Sequence, residues 1–378
     1  MAEPFANPDV VIVGGGVIGA TVGWRLQEAG LSTLIVDRDG QIPKASWAAA
    51  GMLCPVSEAH FTERELLDLG LQSAKMYPEF AAELEAASGA SIDYTSDGTT
   101  LVAMDADEVR ALRRLFAFQK ECGLPVSWES ADALHERLPM LSHLAVAGVF
   151  APQDHRVDAR KLLDAARSAF VAAGGRWLSD DCNTVRIHAG RVVGCDIGDH
   201  RIDCSTLIVA GGAWSGRLAG LPKELVPPIR PVKGQMLAIG MDPNAPLIDS
   251  TIRGRRAYLV PRPGGRLVVG ATSEEKGLDD RITAGGMYDL LRGAYELLPG
   301  TYELPLLETW CGFRPGTPDN LPILGPCEVE GLVFATGHYR NGILLTPVTA
   351  SAIARTVLDG AAPEVLAPFS ISRFQTRA

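Results

Sequence analysis

Gly14-x-Gly16-x-x-Gly19 lies between a β-branched apolar run and a helical pattern, and Asp37 ends the next apolar run. Each part of that spacing serves the binding of a dinucleotide. Gly14 permits a tight turn, Gly16 lets backbone approach a pyrophosphate, and Gly19 lets helix and strand pack closely. The first turn of the helix offers unpaired N–H groups to phosphate oxygens, and the Asp37 carboxylate accepts ribose hydroxyls. A glycine triplet alone is a weak signal. With strand, helix and acid in order it predicts a dinucleotide site.

The motif does not choose between NAD and FAD, but two further features favour FAD. The sheet that starts at the motif is completed by apolar runs far downstream, at 207–210 and 332–335. A cofactor enclosed by several distant segments is an extended one. The second feature is Ala45-Ser46-Trp47-Ala48-Ala49-Ala50-Gly51-Met52-Leu53. Such a row of small side chains lets backbone lie against a flat ring. An alanine-rich helix start is its other reading.

Two arginines suggest a substrate with a carboxylate, which a guanidinium matches in bidentate geometry. Arg314 precedes Pro315-Gly316 and is expected on a turn. Arg340 falls between a buried strand and a helix, where open α/β sheets bind ligands. That placement makes Arg340 the principal anchor and Arg314 the secondary one. Each alone also reads as a surface residue or the partner of a structural Asp. Tyr258 is either a hydroxyl donor or a packed core tyrosine. His338 is expected to serve through its backbone, because hydride transfer from a neutral amine needs no strong side-chain base.

These residues need a scaffold. Residues 10–13, 17–29 and 33–36 read as one βαβ unit stopped by Gly30. A helix over 65–84 should kink or split at Pro78. A second spans 106–122, and a third starts from the N-cap Asp158 and runs to 173. Strands are expected at 99–102, 146–150, 191–197 and 207–210. An antiparallel group covers 236–239, 258–260 and 267–269, with a turn at Pro263-Gly264-Gly265. A strand at 332–335 and a helix over 346–358 close the pattern. The fold class is α/β, a Rossmann-like FAD-binding domain interleaved with an α+β substrate domain built on an antiparallel sheet. The first takes 1–90, 150–220 and 308–378, the second 91–149 and 221–307.

Composition excludes several classes. The net charge of −10 argues against nucleic acid and anionic membranes as partners, and Arg253-Gly-Arg255-Arg256 is too short to reverse it. The cysteines number 7, an odd count without C-x-x-C spacing, so neither a disulfide framework nor a metal site is expected. The opening Met1-Ala2-Glu3-Pro4 is acidic rather than a secretory leader, and no apolar run reaches a membrane span. A cytoplasmic protein is expected.

Over nearly its whole length the chain resembles the D-amino-acid oxidase superfamily of FAD-dependent oxidoreductases, and within it the glycine oxidases of the thiamin-pathway type. The resemblance is carried by Ala48-Ala49-Ala50-Gly51-Met52-Leu53, by Tyr258 with Val260-Pro261-Arg262, and by 266–271, 312–317 and 337–345. It implies Val17, Ile18, Asp37 and Arg38 against the adenosine and pyrophosphate, with Val185 at the adenine from a separate segment. It implies Ala45, Ser46, Ala50, Gly51 and Met52 along the flavin. His338, Tyr339, Arg340, Asn341, Gly342, Ile343 and Leu344 would wrap the isoalloxazine ring with backbone donors. Arg314 and Arg340 would bind the substrate carboxylate, assisted by Tyr258. Met52 and Tyr258 would fill space near the ring and favour glycine and sarcosine over bulky D-amino acids.

The implied reaction turns a small amino acid or amine into an imine while O2 becomes hydrogen peroxide, with the imine feeding thiazole formation. A dehydrogenase passing electrons to a quinone or partner subunit is the alternative. A homo-oligomer is expected. Sarcosine-oxidase relatives attach flavin through a cysteine. That position falls on Gly312, one residue after Cys311, so FAD is expected to be non-covalent. The segment 251–256 is more basic than the family suggests and should alter the pocket entrance.

Overall fold

Val10-Val11-Ile12-Val13 is β-branched throughout, which suits a strand buried on both faces. In the computed structural model, which describes residues 7–38 and 44–375, this run is central in a sheet that is parallel except for one antiparallel edge strand. The opening Met1–Pro4 lies outside the described residues.

Along the chain β1 (Val10–Val13) leads through α1 (Val17–Glu28) to β2 (Thr33–Asp37), α2 (Ala45–Ala48) and β3 (Met52–Leu53). Then come α3 (Arg64–Ser88), β4 (Thr99–Ala103), α4 (Ala106–Glu121), β5 (Ser127–Ser130), α5 (Ala131–Arg137), β6 (Ala147–Ala151) and β7 (His155–Arg156). They are followed by α6 (Ala159–Ala172), β8 (Arg176–Ser179), β9 (Cys182–His188), β10 (Arg191–Ile197), β11 (His200–Ile202) and β12 (Thr206–Val209). The last third holds β13 (Arg230–Gly240), β14 (Thr251–Arg253), β15 (Tyr258–Pro261), β16 (Arg266–Gly270), α7 (Ala284–Leu297), β17 (Leu306–Gly316), β18 (Ile323–Pro326), β19 (Leu332–Thr336) and α8 (Thr346–Asp359).

One sheet has the order β18-β19-β12-β1-β2-β8. Its register sets Val13 beside both Val36 and Val209, and Val209 beside Phe334. The carboxyl ends of four strands therefore share one edge, which is where such sheets bind ligands. Helices α1, α3, α6 and α8 bury one face. The small sheet β9-β10-β11 packs on the other. The second large sheet has the order β17-β13-β16-β15-β14-β4-β6-β5. It is antiparallel except where β14 runs parallel to β4. Helix α7 covers part of one face. Across the other, Met236, Val260 and Trp310 pack on Ala48 and Ala50, so the two sheets meet at α2 and β3.

Two expectations need correction. Helix α3 is not split at Pro78 but runs unbroken for 25 residues. A proline inside a helix costs about 3 kcal/mol. Against it stand the buried side chains of Tyr77, Phe80 and Leu84, each contributing about 1.5–3 kcal/mol. The Tyr77 hydroxyl also donates to the Ile343 carbonyl at 2.7 Å, and Ser73 to that of Leu344 at 2.6 Å. Tertiary anchorage outweighs the local break. Arg314, expected on a turn, lies inside β17 opposite Val232. Pro315 is tolerated there because β17 is the edge strand of its sheet, and what meets Pro315 on the outer side is the Tyr339 N–H, a donor that needs no N–H in return. The other expected elements stand within a few residues of where the periodicities put them, with β13 extended to 11 residues, while β5, α5, β8, β9, β11, α7, β17 and β18 were not expected.

Candidate functional site

The glycine motif opens a cavity of about 510 Å³ that runs along the carboxyl edge of the first sheet to the face of the second. Gly14 has φ +112°, and a Cβ there would lie 2.4 Å from the Ala210 carbonyl oxygen. At Gly19 a Cβ would stand 1.9 Å from the Gly14 carbonyl, so α1 meets β1 at backbone distance. Gly16 begins α1 in extended backbone with no side-chain cap of its own. The next N–H, of Val17, donates to Ser46 Oγ at 3.0 Å. Gly14, Gly16, Val17, Ile18 and Ser46 all line the cavity. A helix N-terminus with free donors beside a glycine turn is a receptor for phosphate.

Asp37 is buried at the end of β2 and accepts the Gly15 N–H at 2.5 Å. It also pairs with Lys44. Beyond it Arg38 stands 3.4 Å from Asp181 and lies over the Trp214 ring at 5.6 Å. Cys182, Asn183 and Trp214 line this end, none of which was expected from sequence. Val185 is buried in β9 behind that wall, its N–H given to the Ala219 carbonyl at 2.9 Å.

The middle of the cavity is walled by Ala45, Ala50, Gly51 and Met52. The alanine-rich row begins as the short α2, as its helix-start reading expected, and then continues as an open turn along the cavity. Gly51 has φ +73°, and a Cβ there would lie 2.0 Å from the Val157 carbonyl oxygen. The turn is held from outside. Trp310 Nε1 donates to the Ala48 carbonyl at 3.0 Å, and the buried Arg262 donates to that of Ala50. Gly312 also borders the cavity, where a Cβ would lie 2.5 Å from that of Ala48. Cys311 is buried on the opposite face of β17, and its thiol donates to the Asp280 carbonyl at 3.2 Å. Burial pushes that thiol above its ordinary range. The Cys311 thiol therefore faces away from this part of the cavity. A pyrophosphate receptor, a ribose acceptor and a flat wall of small residues in one cavity fit FAD.

The far end holds the polar side chains. Tyr258 crosses over Gly270, where a Cβ would lie 2.4 Å from the phenol oxygen. Its hydroxyl lies 4.0 Å from Met236 Sδ and within hydrogen-bonding reach of the Arg314 guanidinium. Burial raises its pKa, and the nearby Arg314 guanidinium pulls it back. Tyr258 is thus both packed and available as a donor. Arg314 is half-buried and lies over Gly234, with Nη1 donating to the Thr272 carbonyl at 3.1 Å. Arg340 also borders the cavity but is exposed. It stacks on the Tyr339 ring at 4.9 Å and has no hydrogen bond or ion pair among the described residues. Of the two guanidiniums Arg314 is thus the more desolvated.

The loop after β19 closes the cavity. His338, Tyr339, Gly342 and Ile343 line it, while Asn341 and Leu344 stand behind. The Tyr339 N–H donates to the Pro315 carbonyl at 3.2 Å and that of Asn341 to His338 at 2.9 Å. The His338 ring is buried, with Nε2 3.1 Å from Thr349 Oγ1. Burial pushes its pKa down to about 3, so the imidazole stays neutral and is a poor base.

Glu58 also borders this end and was missed from sequence. It pairs at 2.5 Å with Arg253. The basic segment 251–256 is therefore partly strand, with one charge neutralised. Nothing in the local pattern marks Glu58, since its partner lies 195 residues away.

The chain is 35% identical over 377 residues to the bifunctional protein ThiO/ThiG of Trichormus variabilis, covering 98% of this chain and 56% of that protein. It thus spans about half the length of the first such relatives. It is 37% identical to the glycine oxidase of Geobacillus kaustophilus, with 97% of each chain covered. The crystal structure of glycine oxidase from that organism superposes with a TM-score of 0.91 at 34% identity, over 99% of this chain and 100% of the other. The hydrogen cyanide synthase subunit HcnC of Pseudomonas aeruginosa is 32% identical, with 97% of this chain and 96% of the other covered. The family model for FAD dependent oxidoreductases of the DAO type matches residues 9–356. The chain belongs to that DAO family of FAD-dependent oxidoreductases.

Proposed function

We propose that the protein oxidises the amine of glycine and other small amino acids or amines to the imine, with O2 as acceptor and hydrogen peroxide as product. The observation that carries this reading is the meeting of Arg314 and Tyr258 with the small-residue wall in one cavity. Similarity to glycine oxidase supports it. Similarity to ThiO/ThiG supports a role in supplying the imine for the thiazole branch of thiamin synthesis. Bound FAD supplies the acceptor for the two electrons that leave the substrate as a hydride. The chain's own residues then orient and desolvate. Arg314 takes the carboxylate, Arg340 adds a second guanidinium from the rim, and Tyr258 donates its hydroxyl. His338 supplies no proton acceptor, so the substrate amine must already be neutral.

The expected substrate order is glycine and sarcosine above bulky D-amino acids, because Met52 and Tyr258 narrow the end of the cavity. One peroxide per imine is expected. Similarity to HcnC favours a second reading, a dehydrogenase delivering electrons to a quinone or partner subunit. Turnover of glycine with a dye but no peroxide would establish that alternative. Efficient D-phenylalanine oxidation with negligible glycine activity would remove the small-amine reading.

The FAD should be non-covalent, because Gly312 lies against Ala48 and Cys311 faces away. Acid precipitation should leave intact FAD in the supernatant. Yellow colour retained in the pellet would contradict this. Asp37→Ala should weaken FAD binding by about 10- to 100-fold, the worth of a charge-assisted hydrogen bond of ~1.5–3 kcal/mol. Turnover of the fully loaded variant should change little, because Asp37 is at the other end of the cavity from Tyr258. Unchanged FAD affinity with lost turnover would remove Asp37 from the ribose.

A further inference from the structure

We propose that the Glu58–Arg253 ion pair sets the charge specificity of the pocket, with Glu58 covering a third guanidinium that would otherwise receive a second anionic group of the substrate. The inference rests on the amine-oxidation reading and adds to it which amines are refused.

The placement follows from strand register. Tyr258 on β15 is paired on one side with Gly270 on β16 and on the other with Arg253 on β14. Directly opposed residues of an antiparallel pair put their side chains on the same face, with Cβ atoms about 4.5–5.5 Å apart. Arg253 therefore stands one strand beyond Tyr258 on the face that borders the cavity. Glu58 descends on it from the segment after β3, with Oε1 2.5 Å from Nη1. Both side chains are largely withdrawn from solvent, at 18% exposure for Glu58 and 26% for Arg253. Glu58 borders the cavity, so its carboxylate is what an incoming substrate meets.

Glu58 is not free to swing away. The Val56 and Ser57 N–H groups each donate to the buried Asp154 carboxylate at 3.0 Å. Gln119 Nε2 donates to the Val56 carbonyl at 2.9 Å. The segment that carries Glu58 is thus held on both backbone polarities. Arg314 and Arg340 border this end, and the Arg253 guanidinium stands behind the Glu58 carboxylate that covers it. Arg314 and Arg340 suffice for a single substrate carboxylate. A second anionic group would approach Glu58 in a partly desolvated site, where like charges repel strongly. With the Glu58 charge removed, Arg253 offers a fork that matches a second carboxylate.

The test uses the FAD-loaded full chain and compares sarcosine with iminodiacetate, the same secondary amine carrying one carboxylate or two. Affinities are read from the flavin absorbance change on titration, and kcat/KM from turnover. In Glu58→Gln the preference for iminodiacetate over sarcosine should rise at least tenfold in both readouts. Adding Arg253→Gln should cancel that gain. A shift below threefold in a Glu58→Gln protein with full FAD content overturns the proposal. So does a gain that survives the loss of Arg253. Should Glu58→Gln fail to load FAD, Arg253→Gln decides alone. It leaves Glu58 uncompensated, so discrimination against iminodiacetate should rise at least threefold, and unchanged discrimination overturns the proposal. Failure of the wild type to oxidise any small amine would instead count against the function, while the titrations still report the charge preference.

Discussion

Arg314→Ala should lower kcat/KM for glycine by roughly 30-fold to a few thousand-fold in fully flavinated enzyme, the equivalent of about 2–5 kcal/mol. The size follows from desolvation. Arg314 is half-buried inside β17, fixed by its bond to the Thr272 carbonyl and by its seat over Gly234. A guanidinium held in this way loses little entropy on meeting a carboxylate, and the interaction is only weakly screened. Arg314→Lys should recover little, because a point charge cannot reproduce the fork. Arg340→Ala should cost less, since its guanidinium is exposed on the Tyr339 ring. Amines without a carboxylate should be almost indifferent to either change. The measurement is kcat/KM for glycine after flavin content has been checked. An Arg314→Ala enzyme within about threefold of wild type, under roughly 0.7 kcal/mol, would take Arg314 out of the substrate site.

Gly19→Val should cost the protein most of its FAD affinity and part of its stability. Even the first added carbon would lie 1.9 Å from the Gly14 carbonyl and 3.3 Å from Ile12 Cγ2. That carbonyl cannot rotate away cheaply, because it shares a peptide plane with the Gly15 N–H, which is bonded to the Asp37 carboxylate at 2.5 Å. Helix α1 must therefore shift from β1, carrying its N-terminal donors out of line with the phosphates. Overpacking of this kind costs about 1–3 kcal/mol. FAD affinity should fall more than tenfold and the melting temperature of the apoprotein should drop. Gly285→Ala in α7 is the control, since a Cβ there meets nothing within 4 Å. Wild-type FAD affinity in Gly19→Val would mean that the helix–strand contact does not set the phosphate receptor.

The sequence is most legible where function depends on backbone. Gly14, Gly16 and Gly19 are there because a Cβ would collide or block an approach, and such positions announce themselves by residue type. The wall from Ala45 to Met52 is visible for the same reason. Arg314 borders the cavity, but from inside a strand and not from the expected turn. Pro315-Gly316 carries a turn signal, and only the sheet order shows that β17 is an edge strand. Pro78 misled in the same manner, its break overridden by bonds to carbonyls some 266 residues away. Glu58, Arg253 and Asp154 form a constellation from three distant segments, each unremarkable alone. Pairing of that sort leaves no trace in periodicity or spacing.

The strand order β19-β12-β1-β2 also governs when this protein can acquire its cofactor. The first βαβ unit leaves the ribosome well before its partners, since β1 finds one neighbour only at Thr206 and beyond, and β12 finds its own only at Leu332. The loop that closes the cavity is clasped to α3 later still, through the carbonyls of Ile343 and Leu344. At about 5–20 residues per second, translation takes roughly 15–70 s to deliver those partners. Until then the glycine turn and the free end of α1 belong to a half-built sheet with an exposed edge. Contacts so distant in sequence also make folding slow once synthesis ends. Supply of FAD once the loop after β19 has been made should therefore favour the yield of folded protein, since a ligand that binds only the finished sheet draws the chain toward it by mass action.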